Sequence, residues 1–423
     1  MNLYSHQVQA LEQTSDLNRV AYYLDMGLGK TFVGSEKMNS LDARINLVVC
    51  QKSKVNDWVG HFLENYLPWT TFDLTKKQAL ETFVNSFPPN GEHLIGVINY
   101  ELAWRRKDLL QLTDFTLMLD ESSLIQNGKA KQSKFIMKLN PKNVILLSGT
   151  PCSGKYENLL TQMHLLGWNI SEQLYNRQYV KFKKVESDGF IHNVIDGYQN
   201  VERLKSKLRE HGCVFMKTEE VFDLPEQTII PVTVPTSKEY RKFMKDDYVK
   251  FKDGTEFIGD MAFKKHLIAR QLCGIYSAAK LEAFKDLVQS TSDRLIVFYN
   301  FKDEVKQLMS IANELEKPWS IVSGDQKVLA AYENYSDSIT FVQYQAGAMG
   351  LNLQKANKII YFTLPERTDL FEQSKKRIHR IGQDKVCFYY LMMCKNSVEE
   401  WIHEALLQKK DYTDELFKER GCK

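Results

Sequence analysis

The chain has 423 residues, 43% of them hydrophobic and 26% charged, and a formal net charge of +3. That profile is globular, with room for two or three domains; it excludes a low-complexity chain, and no apolar run approaches the length of a membrane span. Seven cysteines without a CxxC pair, and an opening stretch with no basic segment leading into an apolar one, argue against a disulfide framework and for a soluble, cytoplasmic, reduced protein.

In chain order, short apolar runs at residues 20–24, 45–50, 94–98, 115–119 and 144–147 predict buried strands. Helical patterns at 56–66 and 79–86 lie between them, and strands alternating with helices predict a parallel sheet with crossovers. From about residue 154 to 287 the sequence reads as mostly helical, charged and aromatic, broken by one extended run at 227–235. Strand signal returns from Arg294 in "RLIVFY", "WSIVSG", "SITFVQY", "NKIIYF" and "CFYYLMM". The expected fold class is α/β, with two phosphate-binding-type lobes and a cleft between them. The expected division is 1–225, with a helical insertion from about 154, and 226–423, with one at about 236–287.

Three stretches carry chemistry. In "YLDMGLGKTFVGSEK" a strand, a glycine loop, Lys30-Thr31 and a helix follow in the order a phosphate site needs. Backbone N–H groups and the helix start face the anion, Lys30 reaches the outer phosphates and the Thr31 hydroxyl suits magnesium. Leu24 stands where the strict pattern has glycine, and the plain alternative is a tight turn with a surface lysine. In "FTLMLDESS" a strand ends on Asp120-Glu121. The first acid suits the same magnesium, and the second suits activation of water. In "EQSKKRIHRIGQ" the spacing of Gln373, Arg377 and Arg380 predicts one helix face, able to reach a γ-phosphate across a cleft, with Lys375 turned away as a surface charge. A solvated basic helix remains the alternative there.

Together these stretches resemble the Swi/Snf-like ATPases, a branch of the superfamily-two helicases. The likeness continues in order through "LYSHQ", "VVCQKSKVNDW", "INYELAWRR", "LLSGTP", "FMKTEEVFDLPEQ", "ARQLCGI", "LIVFYNF" and "QAGAMGLNLQKANKIIYF". The family tolerates a non-glycine at the position of Leu24. The resemblance implies two RecA-like lobes with helical insertions, ATP and Mg2+ between the lobes, and double-stranded DNA across their top. It implies nucleotide contacts from Tyr4, Gln7, Gly27, Leu28, Gly29, Lys30, Thr31, Gly350 and Gln373, and coupling by Ser148, Gly149 and Thr150. Departures are Gln126-Asn127 for the usual Lys-Asn, Gly347-Ala348 for a glycine pair, Met216-Lys217 for a basic pair, and no arginine after "IVSGD". They bear on DNA contact and coupling, not on groups that touch ATP.

Candidate DNA contacts are Lys52, Ser53, Asn56, Asn99 and Tyr100 in the first half, and Asn300, Lys302 and Gln345 in the second, all at strand ends where donors meet phosphates. Each has a plain alternative as a solvated or capping residue. Residues 179–184 are read as the solvated face of an insertion helix, Trp58 and Trp168 as core, and His379 as structural. The expected function is a DNA-dependent ATPase that moves on duplex DNA as a monomer of the minimal bacterial or phage type, with a targeting partner protein an open question. A strand-separating DNA or RNA helicase and a nucleotide-gated clamp with low turnover are the alternatives.

Overall fold

The computed structural model describes residues 2–86, 92–187, 190–347 and 351–417. It divides into two compact units, Met1–Val221 with Lys410–Lys423, and Phe222–Lys409. Residues 410–417 thus group with the first unit, whereas the division expected from the sequence places them in the second.

In the first unit the strands are β1 (Arg19–Leu24), β2 (Ile45–Cys50), β3 (Thr70–Asp73), β4 (Leu94–Asn99), β5 (Thr116–Asp120), β6 (Asn143–Ser148), β7 (Val180–Ser187), β8 (Phe190–Tyr198) and β9 (Cys213–Met216). Seven of them form one sheet in the order β3-β4-β2-β5-β6-β1-β9, every pair parallel. Val, Ile and Leu fill the central strands because helices cover both faces, and such strands read as unbroken apolar runs. Helices Lys30–Ser40, Val55–Asn65 and Lys77–Asn85 are crossovers. The order of β5, β6 and β1 is what matters for chemistry. It sets Tyr23 opposite Ser148 and Asp120 opposite Leu147. Three loops that are remote in sequence therefore leave the same edge of the sheet, where open α/β sheets bind ligands.

In the second unit the strands are β10 (Gln227–Val234), β11 (Tyr248–Lys250), β12 (Glu256–Ile258), β13 (Leu295–Tyr299), β14 (Trp319–Val322), β15 (Lys327–Val328), β16 (Ile339–Gln343), β17 (Lys358–Tyr361) and β18 (Cys387–Cys394). Their main sheet runs β10-β18-β17-β13-β16-β14-β15, parallel except for the β14–β15 pair. Apolar clusters fill both faces, one around Phe298, Tyr361 and Tyr389, the other around Val297, Phe341 and Phe362. Lys280 and Glu399 form a buried ion pair at 2.5 Å. Cys273, Cys394 and Glu399 bring donor atoms within 4.8 Å of one another. The Glu399 carboxylate is already engaged, by Lys280 on one oxygen and by the Cys394 N–H on the other, so this trio is a packing cluster.

The middle of the chain corrects the helical expectation. Helices Leu160–Leu165, Glu172–Tyr179, Val201–Glu210, Lys238–Asp246, Ala262–Gly274 and Ala278–Gln289 are present, but two antiparallel ribbons, β7–β8 and β11–β12, interrupt them, and β9 returns to the first sheet. Residues 180–184 are strand, not insertion helix. The alternation in "VKFK" has the strand period of two, "FIHNVI" is rich in β-branched residues without that period, and Asp-Gly between them is a hairpin signal in the sequence.

One buried acid in the second unit makes stability pH-dependent. One oxygen of Glu304 accepts the N–H groups of Asn300 and Phe301 and the Thr363 hydroxyl, at 2.9, 3.0 and 3.0 Å. The other, Oε1, is buried without a hydrogen-bond partner among the described residues. Burial, opposed by those hydrogen bonds and by Lys280, raises the carboxyl to about 7 from its usual 4.5. The fold thus favours the protonated form. Its contribution is complete below the unfolded pKa and is lost as pH rises through the folded one. From about pH 5 to about pH 8 the second unit is expected to lose about 3 kcal/mol of unfolding free energy through this group. Denaturant unfolding of the full chain across that window, beside Glu304→Gln, checks it; identical pH dependence in the two proteins would contradict the assignment.

Candidate active site

β1 ends at Leu24, and the Asp25 N–H still bonds the Met216 carbonyl at 3.0 Å. The chain then turns through Gly27 and Gly29, whose φ angles of 93° and 73° are left-handed. Glycine takes these without steric cost. At Gly29 a second constraint applies, since a Cβ there would lie 2.1 Å from Gln7 Nε2. The helix Lys30–Ser40 starts directly afterwards, with Thr31 half-buried in its first turn. The Lys30 ammonium donates to the carbonyls of Leu24 and Asp25 at 2.8 and 3.1 Å. Burial lowers its pKa, while Glu121, Asp25 and Asp120 oppose that shift.

Gln7, expected to contact the nucleotide, is 3% exposed. Its Nε2 donates to the Leu28 carbonyl at 3.2 Å, and its Oε1 accepts the Tyr4 N–H at 2.9 Å. The His6 ring approaches the same Leu28 carbonyl at 3.1 Å. Gln7 therefore fastens the chain's first helix to the glycine loop. Tyr4 presents an exposed ring stacked on His6.

The acids arrive from β5. The Trp58 indole donates to Asp120 Oδ2 at 2.9 Å, and the Tyr100 hydroxyl donates to the Asp120 carbonyl at 2.9 Å. Burial raises the Asp120 carboxyl, while the Trp58 hydrogen bond and the Lys30 charge hold it down. Glu121 sits at φ 52°, ψ 58°. A left-handed non-glycine residue is uncommon and clusters at functional sites. From β6, Ser148 Oγ reaches Glu121 Oε2 at 3.5 Å, a long contact, and accepts the Thr150 N–H at 3.1 Å. A Cβ on Gly149 would stand 3.5 Å from Lys30 Nζ, which places that turn beside the loop. One cation and three carboxylates thus face the exit of three adjacent strands.

This arrangement fits a nucleoside triphosphate with magnesium. Thr31 and Asp120 carry hard oxygen donors of the kind that magnesium takes. Thr150 Oγ1 is buried with no hydrogen-bond partner among the described residues, a polar atom with unused capacity beside the site.

Other expected residues fall elsewhere. Tyr100 is 1% exposed and its hydroxyl is committed to Asp120, so its side chain is positioning and not DNA-facing. Asn99 is 5% exposed, with its amide on Glu101. Lys52, Ser53 and Asn56 are exposed just past the end of β2. In the second unit the Asn300 amide bonds Thr363 and Leu364, which makes it a strut between strand ends. Lys302 is exposed and paired with Asp325 at 2.7 Å. Gln345 is exposed on the short helix Tyr344–Gly347. Gly350 lies outside the described residues.

The helix-face expectation for Gln373, Arg377 and Arg380 fails. The helix Thr368–Lys375 stops before either arginine. The N–H groups of Arg377 and Ile378 bond three residues back, to Ser374 and Lys375, which tightens and ends it. Arg377 is 3% exposed and donates to the Leu351 carbonyl at 3.3 Å. Arg380 is half-buried against Asn352 Oδ1, and burial lowers its pKa. The Gln383 carboxamide fixes this turn through the carbonyls of Gln354, Ala356 and Ile378. Lys375 is no surface charge: it is buried, paired with Glu372 at 2.6 Å and set over the Phe371 ring.

Sequence reasoning missed three positioning groups. Trp58 is core, as expected, yet also holds Asp120. Gln162 accepts from Tyr23 and Ser122 and donates to the Pro151 carbonyl, tying β1 to the loops after β5 and β6. Thr218 donates to Asp25 through both its N–H and its hydroxyl. No spacing in the sequence announces any of them.

Residues 23–280 match the family model for the SNF2-related domain, and residues 279–382 match the helicase conserved C-terminal domain. A human SWI/SNF-related regulator of chromatin, subfamily A member 1, is 24% identical over 90% of this chain and 40% of its own length. The Bacillus subtilis ATP-dependent helicase YqhH is 23% identical over 96% of this chain and 77% of its own. A solved structure of the Sulfolobus solfataricus SWI2/SNF2 ATPase core in complex with dsDNA shares 17% identity with a TM-score of 0.44, covering 98% of this chain and 92% of that one. The chain spans about two-fifths of the length of its vertebrate relatives, 42% for a Xenopus tropicalis one. Among the described residues no helix is long and apolar enough to cross a membrane. With its family model matched across more than half its length, in two parallel α/β units, the chain belongs to the SNF2-related family of helicase-type ATPases.

Proposed function

We propose that the chain hydrolyses ATP on the loop Asp25–Thr31 and uses the turnover to move along double-stranded DNA. The observation that carries this reading is the convergence of Lys30, Asp120, Glu121 and Ser148 at the ends of adjacent strands β1, β5 and β6. The loop N–H groups and the helix start bind phosphate, and Lys30 exchanges two neutral carbonyls for anionic oxygens. Glu121 takes a proton from the attacking water, with the Ser148 hydroxyl helping to orient its carboxylate. Magnesium, held by Thr31 and Asp120 when bound, supplies neutralisation of phosphate charge. Arg377 fixes its own turn through Leu351, and Arg380 is held against Asn352. Lys52, Ser53, Asn56, Lys302 and Gln345 are the DNA-backbone contacts; Tyr100, Asn99 and Asn300 are not.

Duplex DNA is expected to raise the steady-state ATPase rate several-fold, and binding to weaken with salt as phosphate contacts release counterions. Rates with duplex DNA, single strands and duplex RNA at two salt concentrations check this. Stimulation by RNA equal to that by duplex DNA would defeat the DNA reading.

A further inference from the structure

The segment after β2 has two faces. β2 lies beside β5, with Val49 opposite Leu119, so the segment leaves the sheet next to Asp120. It turns through Lys52–Lys54 and enters the helix Val55–Asn65. Lys52, Ser53 and Asn56 are exposed, whereas Trp58 is buried. Residues two apart on a helix point about 200° apart, so Asn56 meets solvent while Trp58 turns into the unit. There its indole N–H donates to Asp120 Oδ2 at 2.9 Å.

The same helix is tied to the one that carries Thr31. His61 Nε2 lies 3.0 Å from Ser35 Oγ, and its ring meets Phe32 edge-on at 5.0 Å, beside Thr31. The Tyr66 hydroxyl, one residue past the helix end, donates to Glu36 Oε1 at 2.7 Å. Trp58 stacks on Phe62 and meets His61 edge-on, both at 5.7 Å. Close-packed interiors transmit displacement. A shift at the exposed start of this helix therefore reaches both residues assigned to magnesium, Asp120 through one hydrogen bond and Thr31 through its neighbours.

We infer that Trp58 is the positioning residue through which duplex DNA tightens the magnesium site. Phosphates held by Lys52, Ser53 and Asn56 set the start of the helix, and the indole N–H sets the Asp120 carboxylate. The inference rests on the DNA-motor reading and deepens it. Partners that orient a metal-ligating carboxylate typically carry about 10–100-fold in metal affinity or activity. Tyr100 also bonds Asp120, but at its backbone carbonyl and from the turn after β4, where Asn99 is buried. It fixes the acid without a route from DNA. By linkage, duplex DNA and magnesium ATP then raise each other's affinity by the same factor.

The test uses the full chain carrying Glu121→Gln, so that bound ATP survives, and a blunt DNA duplex. ATP affinity is measured with and without the duplex, in magnesium and in chelator, and duplex affinity with and without magnesium ATP. This parent is expected to show a mutual gain of at least about 5-fold, in magnesium only. Trp58→Phe keeps a ring and loses the N–H, and its gain is expected to fall within about 2-fold of none. Its duplex affinity without nucleotide, which phosphate contacts dominate, and its ATP affinity in chelator are expected to stay within about 3-fold of the parent. Tyr100→Phe is expected to retain the gain, which separates positioning from a general loosening of Asp120. Lys52→Gln with Asn56→Ala is expected to weaken duplex binding and, at saturating duplex, to cut the gain to less than about half. If Trp58→Phe fails to fold, this exposed variant decides alone. A full gain in Trp58→Phe, equal losses in Trp58→Phe and Tyr100→Phe, or a full gain in the Lys52 and Asn56 variant overturns the inference. A parent without the gain overturns it too, while duplex-stimulated hydrolysis by the chain with Glu121 restored keeps the motor reading. Absence of any duplex binding or stimulation removes both.

Discussion

Glu121→Gln is expected to lower steady-state ATP hydrolysis by about 10²–10⁴-fold, the usual worth of a general base, and to leave ATP affinity within about 3-fold of the original. Glutamine keeps the length and shape of the side chain, so the left-handed backbone at φ 52° meets the same steric demand. It keeps an oxygen that can accept from Ser148 Oγ. What it lacks is basicity, so the proton of the attacking water has nowhere to go. Binding should persist because phosphate contacts come from the glycine loop and Lys30. The variant should therefore accumulate the ATP-bound state. Equilibrium ATP binding beside steady-state turnover decides the matter. Turnover within 10-fold of the original at saturating ATP would remove Glu121 from the catalytic role.

Lys30→Ala is expected to fail differently, through binding. Its ammonium lies among Glu121, Asp25 and Asp120, which support its charge against the cost of burial. Removing it deletes a charged donor and leaves three carboxylates facing an incoming polyanion. A hydrogen bond to a charged group is worth about 1.5–3 kcal/mol, so ATP affinity should fall by about 10–200-fold. The Asp120 carboxyl, whose pKa Lys30 helps to hold down, should shift further upward, which weakens the magnesium site as well. Hydrolysis should be lost even at ATP concentrations that restore occupancy. Calorimetric titration with ATP in the presence and absence of magnesium reads both effects. Affinity unchanged in this variant would mean that the ammonium stays on the Leu24 and Asp25 carbonyls in the bound state and serves only the loop.

The sequence by itself determined the elements whose signal is local. The apolar runs of β1, β2, β4, β5 and β6 are strands within a residue of their expected ends, because a strand covered on both faces needs apolar side chains at every position. The glycine loop was legible because positive φ selects glycine, and the Asp120-Glu121 exit because two acids ending an apolar strand are conspicuous. What the tertiary structure decided is partnership. Asn99 ends β4 and Tyr100 follows it, as polar residues at a strand exit should, yet strand order turns Tyr100 inward to hold Asp120. Trp58 and Gln162 act across 62 and 40 residues, on Asp120 and Ser122, and no spacing encodes such a bond. The arginine segment kept helical spacing on paper, but the Gln383 carboxamide and tightened backbone bonds end the helix at Lys375 and bury the lysine that looked solvated. The β7–β8 ribbon had only a short alternation and an Asp-Gly signal amid charged and aromatic residues; pairing between its two strands settled it. Local patterns fix which stretches become elements, since backbone sterics and burial act residue by residue. The site depends on which strand ends are neighbours, and that is a property of the assembled sheet.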